Sequence, residues 1–227
     1  MQHSCGSFVL LAALAAGLSG CASGPVAMSD SQRAELRNAG PIRVVHHGPA
    51  GPGITQATNV VKFHFSMGLA GWGTPAAVIL KENGIEDPMI AVRRRLTDRL
   101  AAEAGFKNLR PADAPLPLEE TSIADLQKRF GKGLHLQIYP TAWTVVYYVS
   151  NWSRYYMMYG AMARMVRVDD GAILWSGQCS VRRDDGDKAP TIEELMANRA
   201  ALLKVWARDA SLQCADQLVD AYLGKNG

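Results

Sequence analysis

Residues 134–182 read LHLQIYPTAWTVVYYVSNWSRYYMMYGAMARMVRVDDGAILWSGQCSVR, and their period decides the fold. Leu134, Leu136 and Ile138 alternate with His135, Gln137 and Tyr139, the two-residue period of a half-buried strand. Pro140 lacks an N–H and marks a bulge, an edge or a bend. Ala142–Val149 continues the same strand beyond it, and the chain turns near Ser150–Ser153 to return through Tyr155–Val168. Asp170-Gly171 is a two-residue hairpin signal that feeds a third strand, Ala172–Arg182. In that strand Ile173, Trp175, Cys179 and Val181 are assigned to one face. Ser176, Gln178, Ser180 and Arg182 take the other, with a bulge expected near Gly177. The product is a three-strand antiparallel meander.

Helical periods flank the meander. After it, Thr191 and Glu194 form a capping box, and Leu203, Trp206, Ala210, Cys214, Leu218 and Tyr222 make one stripe ending at Gly224. Before it, Asp87 caps a helix over 87–105 with Pro88 at its first position and Met89, Val92, Leu96 and Leu100 on one face. Arg93, Arg94 and Arg95 point in successive directions round that helix and read as a solvated face. Ser122–Asp125 starts a shorter helix to about Phe130, and a brief strand falls near Asn108–Arg110. Ser31–Asn38 suits one or two helical turns, and Ile42–His46 is a first strand stopped by the Gly/Pro loop 48–53. The reading is an α+β domain over 41–227. Its sheet is mainly antiparallel, the meander plus one or two N-terminal strands, with two or three helices on one face.

The hairpin concentrates aromatic residues. Trp143, Tyr147, Tyr148, Trp152, Tyr155, Tyr156 and Tyr159 lie there with Met157, Met158 and a single charge, Arg154. Trp143, Val145 and Tyr147 oppose Thr144, Val146 and Tyr148, so both faces are largely apolar and the second needs a cover. Three covers fit: a two-sided core closed by Asn59–Leu80, a second copy or protein partner, or a membrane interface. The stretch Phe65–Leu80 carries no charge, yet Gly68, Gly71, Gly73 and Pro75 interrupt any regular period, as in a buried loop or broken helix.

A net charge of +3 is too mild for a nucleic-acid footprint, and 48% hydrophobic residues belong to a folded protein. No HExxH, CxxC, GxSxG, SxxK or phosphate-binding glycine loop occurs, so no metal, cofactor or catalytic residue is assigned. His46 and His47 are neighbours in a strand and face opposite ways, which disfavours joint chelation. His135 reads as a surface histidine, and Asp184, Asp185 and Asp187 lack the spacing of a calcium loop. An envelope hydrolase using His135 or Glu119/Glu120 is one alternative. A small-ligand carrier with a cavity between Asn59–Leu80 and the sheet is another.

Phe8–Leu18 is an eleven-residue apolar run, too short at about 1.5 Å per residue for a bilayer core of about 30 Å. It suits the hydrophobic region of a signal peptide. Leu18-Ser19-Gly20-Cys21 follows it and resembles the lipobox of bacterial lipoproteins. The n-region MQHSCGS holds no Lys or Arg, so either the α-amino group and His3 supply its charge or the start lies upstream. The resemblance implies a signal peptide over 1–20, cleavage before Cys21, diacylglyceryl and palmitoyl-type acylation of Cys21, and a tether over 21–40. Ala22 in place of an inner-membrane-retaining Asp implies the outer membrane, facing the periplasm. Cys5 and Cys21 are then accounted for. Cys179 and Cys214 remain, both on inward faces in an oxidising compartment, and a disulfide between them is expected.

The order of elements, with Asp169-Asp170-Gly171-Ala172-Ile173-Leu174-Trp175-Ser176-Gly177 at the second turn, is similar to the periplasmic domain of the curli-secretion type of envelope lipoprotein. That resemblance implies an assembly or scaffold protein, not an enzyme. Its expected contacts are the membrane, through the N-terminal lipid, and a second copy or envelope partner through the hairpin.

Overall fold

The structure is a computed structural model that describes residues 28–48, 51–55 and 76–225. The lipobox, Cys5, Cys21 and the 59–75 part of Asn59–Leu80 lie outside the described residues. The elements in chain order are α1 (Asp30–Asn38), β1 (Ile42–His46), β2 (Gly53–Thr55), α2 (Ala76–Asn83) and α3 (Pro88–Ala104). Then come β3 (Leu109–Pro111), α4 (Ile123–Phe130), β4 (Leu134–Tyr148), β5 (Asn151–Arg167), β6 (Ala172–Arg183) and α5 (Ile192–Leu223). Among the described residues no helix is long and apolar enough to cross a membrane.

Helix boundaries follow local chemistry. Asp87 accepts from the Met89 N–H at 3.0 Å, Pro88 occupies the first turn, and Gly105 ends α3 at φ 75°. Ser122–Asp125 and Thr191–Glu194 are complete capping boxes, as is Ser29–Gln32 ahead of α1.

The sheet order is β3-β1-β4-β5-β6, with β2 paired to β4. The expected meander is present, β4–β5 and β5–β6 both being antiparallel. The expectation of a mainly antiparallel sheet is corrected at the other edge, because β1 lies parallel to β3 and to β4, and β2 lies parallel to β4. Helices separate these strands: α3 lies between β1 and β3, and α4 between β3 and β4. A helical crossover returns the chain in the same direction. The expectation of helices on one face only is corrected too. Leu36, Met89, Leu96, Leu203 and Cys214 share the main core with Leu136, Ile138, Met157 and Met165. Leu126 of α4 packs on the opposite face with Val45, Leu116, Val166 and Val168.

Strand β4 runs unbroken through Pro140, with a register shift between Pro140 and Ala142 that leaves Thr141 unpaired. Thr141 leans over Gly160, where a Cβ would sit 2.7 Å from its Oγ1. The irregularity in β6 is at Leu174, not near Gly177: Trp175 opposes Met165, and Ile173 opposes Val166. Trp175, Gly177, Cys179 and Val181 therefore alternate strictly, while Ile173 turns to the other face. Gly177 is bare because the Trp175 ring covers it, 2.7 Å from where a Cβ would lie.

The arginines of α3 are partly structural. Arg95 pairs with Asp216 of α5 at 2.8 Å, and Arg99 reaches Glu103, Asp216 and Asp220 at 2.5, 3.0 and 3.1 Å. Cys179 of β6 and Cys214 of α5 form a disulfide with Cα atoms 5.1 Å apart and a sequence separation of 35. Protein unfolded without reductant should show neither thiol in a thiol-reactive assay. Reducing the bridge should cost about 3–4 kcal/mol of unfolding free energy in the chain-entropy account. Two reactive thiols from these positions would contradict the bridge.

Candidate functional site

The strand period sorts the seven hairpin aromatics onto two faces. Trp143, Tyr155 and Tyr159 are buried in the main core, and Tyr147 packs against it half-buried. Tyr159 donates to the Met89 sulfur at 3.1 Å, and burial holds its hydroxyl well above the usual phenol range. These four rings belong to the main core, so a contact surface narrows to Tyr148, Trp152 and Tyr156. Trp152 is 64% exposed beside Val149 at 87%, and its indole N–H donates to the Val149 carbonyl at 3.0 Å across the turn.

Tyr148 and Tyr156 lie on the face away from α3 and α5, with ring centroids 5.1 Å apart. Strand register brings β6 beside them, and the Arg182 guanidinium sits 4.0 Å from the Tyr156 centroid and 6.0 Å from that of Tyr148. A cation over an aromatic face at partly exposed sites contributes about 0.5–1 kcal/mol. Asp184 closes the group: Arg182 Nε donates to it at 2.7 Å, the Tyr148 hydroxyl donates to it, and the Gly186 N–H donates at 3.0 Å. The hydroxyl and the guanidinium beside it hold the Asp184 carboxyl below the usual carboxylate range. Met158 pairs with Arg182 across the strands and is 38% exposed. The surface is therefore two tyrosines, a fixed arginine and a methionine, with Trp152 and Val149 at the tip.

The same face is closed at the other end of the sheet. His47 is fully buried there, and its Nδ1 lies 2.9 Å from the Pro117 carbonyl, so Nδ1 carries the proton. Nε2 accordingly accepts from the Gln137 amide at 2.7 Å. Gln137 Oε1 accepts from Arg164 Nε at 2.6 Å, and the Arg164 guanidinium donates to the Thr121 carbonyl and lies over the Tyr139 ring. This chain of bonds ties the 112–122 loop to β1, β4 and β5. Its members are complementary only with a neutral imidazole.

His135 is buried, 2% exposed, beneath Phe130 with ring centroids 6.1 Å apart, which corrects its reading as a surface histidine. Glu119 lines a shallow groove with Pro115, Pro117, Leu118 and Arg129, in which His135 takes no part. The residues of the hydrolase alternative are thus not brought together. Among the described residues no group of three His, Cys, Asp or Glu side chains could hold a metal. A cavity of about 310 Å³ lies between α1 and the sheet, lined by Met28, Leu36, Leu134, Arg167 and Leu174. The cavity expected against Asn59–Leu80 falls largely outside the described residues. The hairpin's own sequence contains Met158 but gives no sign that Arg182 and Asp184 join it. Only the β5–β6 register does so.

No family model and no curated protein matches the chain. Solved structures similar to it include the PelC dodecamer from Paraburkholderia phytofirmans, at 11% identity over 81% of this chain and 93% of that one, TM-score 0.34. Lipoprotein GNA1162 from Neisseria meningitidis is 20% identical over 74% of this chain and 99% of that one, TM-score 0.25. Protein CT253 from Chlamydia trachomatis is 8% identical over 82% and 99%, TM-score 0.35. At identities and TM-scores this low the likenesses bear on neither site nor function.

Burial shifts the histidines in one direction. The His46 imidazole is pushed down from 6.5 to about 4, first by burial and then by Arg93 and His47. Burial likewise lowers His47, with Arg164 adding to it and the Pro117 carbonyl opposing, and lowers His135. The folded rings stay neutral where the unfolded ones bind protons. Their stabilisation is complete above pH 6.5 and is lost as pH falls below it, for His46 between 6.5 and about 4. Denaturant unfolding at pH 7 and pH 5 should show this loss. Native imidazole NMR signals of His46 should stay at neutral-form positions across that interval. A His46 ring titrating at its ordinary value would contradict the burial argument.

Proposed function

We propose that this chain is a lipid-anchored, non-catalytic binding or assembly module of the cell envelope, facing the periplasm from the outer membrane. Its contact surface is the outer part of the β4–β5 hairpin. The observation that carries this reading is the half-buried Tyr148 and Tyr156 with the exposed Arg182 and Met158 on the open face, and the exposed Trp152 at the turn beside them. Tyrosine, tryptophan, arginine and methionine are the side chains enriched where protein interfaces are driest. The group is ordered in advance, since Asp184 and the strand register fix both the arginine and Tyr148, so little rotamer freedom remains to be lost on docking.

The position of Met28 supports the same reading. The described chain begins beside the C-terminal end of α5, where Arg33 Nη1 donates to the Met28 carbonyl at 2.8 Å and to that of Tyr222 at 3.3 Å. That end of the sheet holds Leu134 and Leu174, and the hairpin tip lies at the far end of the 15-residue strand β4, roughly 45–50 Å away at about 3.3 Å per residue. A chain held at Cys21 would present the tip away from its point of attachment. That orientation favours a protein partner or second copy over the anchoring bilayer.

A photocrosslinking residue at Trp152 in the native envelope should capture one discrete partner or a second copy of the chain. Trp152→Ala and Met158→Ala should weaken that complex by about tenfold or more while leaving the unfolding midpoint within a few degrees. Absence of a crosslink from position 152, with full complex formation by both variants, would sink the proposal. Cys21→Ser tests the anchor separately, and its release from the membrane fraction is the expected outcome.

A further inference from the structure

Helix α5 opens on a complete capping box and ends at Gly224, but its backbone reverses hand in between. Ala197 is extended at ψ 151°, and Asn198, Arg199 and Ala200 follow at φ 53°, 57° and 55°, one turn of left-handed helix. In L residues that conformation drives Cβ toward the following carbonyl, and only glycine, with Asn some way behind, adopts it readily. None of the three is glycine. The surrounding sequence, Leu195-Met196-Ala197-Asn198-Arg199-Ala200-Ala201-Leu202-Leu203, is rich in the strongest right-handed helix formers. Local preference and observed hand are opposed, so contacts on either side must hold the turn.

Those contacts divide α5 into two anchored parts. Upstream, Arg154 of the hairpin donates to the Ala189 carbonyl at 2.8 Å and pairs with Glu194 at 3.3 Å. The Tyr155 N–H donates to the Pro190 carbonyl at 2.9 Å. Leu195 is fully buried, so residues 189–196 form a clasp across β5. Downstream, Ala200, Leu203, Ala210 and Cys214 are fully buried, and the disulfide and the Arg95 and Arg99 ion pairs fasten 201–223 to β6 and α3. Between the two, Arg199 is exposed, its guanidinium reaching toward Gly84 at the turn ahead of α3.

We propose that residues 197–200 are a switchable joint. In the closed state the left-handed turn lets the clasp grip the hairpin while the rest of α5 covers the sheet. When the Arg154 and Tyr155 contacts release, the turn reverts to the right hand and α5 becomes one continuous helix from Ile192 to Leu223. The joint acts through the chain's own contacts and does not depend on the hairpin meeting a partner.

Two measurements on the full chain test it. Arg199→Gly and Arg199→Ala remove the same guanidinium and differ only in backbone preference. At a left-handed position the glycine variant melts several degrees above the alanine variant. In a right-handed helix the order inverts, and that result overturns the joint. Spin labels carried on unnatural residues at the exposed positions Glu193 and Val205 read the second state. In a continuous helix these positions are about 18 Å apart along the axis at about 1.5 Å per residue. The wild-type chain should lack this population and Arg154→Ala should acquire it. Its absence from Arg154→Ala, or its presence as the sole state of the wild type, would overturn the switch.

Discussion

Burial of Met157, Tyr159, Ala161, Ala163 and Met165 beneath the helices is the contact on which the rest of the fold depends. These residues alternate along β5, an interior strand hydrogen-bonded to β4 on one edge and β6 on the other. Their sizes shape the layer above. The two alanines admit α5 closely through Ala207, Ala210 and Cys214, while Tyr159 and Met157 meet Met89 and the hairpin side of the core. Had the register slipped by one residue, Met158, Gly160, Met162 and Arg164 would face the helices, and the core would gain a guanidinium and lose its rings. The disulfide and the α3–α5 ion pairs then hold an arrangement that apolar packing has already selected.

The same alternation dictates what faces the other way, and the second face has two regimes. Toward β1 it is covered by α4 and the 112–122 loop, and its polar groups satisfy each other through His47, Gln137 and Arg164. Toward the tip it is open, and the exposed apolar surface is organised by Arg182 and Asp184. A buried polar chain with each donor matched to one acceptor fixes the loop in one arrangement. An open group of rings and one cation leaves surface available for contact. The boundary lies near Tyr139 and Met162, where the ring hydroxyl donates to the methionine sulfur.

The meander, the caps of α3, α4 and α5, and the disulfide were legible because each rests on short-range chemistry. Asp87-Pro88, Ser122–Asp125, Thr191–Glu194 and Asp170-Gly171 are local signals, and alternation put Cys179 and Cys214 on facing sides. The parallel pairing of β1 with β4 was not legible, since it depends on crossovers through α3 and α4 that local period does not express. His135 was misplaced for a related reason: alternation put it on the polar face of β4, but the cover supplied by Phe130 comes from another element. The aromatic cluster was visible as a concentration, yet its division into core rings and surface rings required the register. Arg182 and Asp184 belonged to it only through pairing with β5.

The α5 turn sets local preference against tertiary contact within a single helix. Nothing in residues 195–203 foretells a left-handed turn, because the residues that impose it are distant: Arg154 and Tyr155 on the hairpin, and the partners of Ala200, Leu203 and Cys214 in the core. A straight right-handed helix through these residues would satisfy the local sequence but could not also serve the clasp as observed, since the clasp approaches β5 from the end of β6. The fold accepts a disfavoured turn of three residues in order to keep both attachments. The hairpin that carries the aromatic surface is consequently held close to its tip by a clasp that depends on the least comfortable backbone in the described chain.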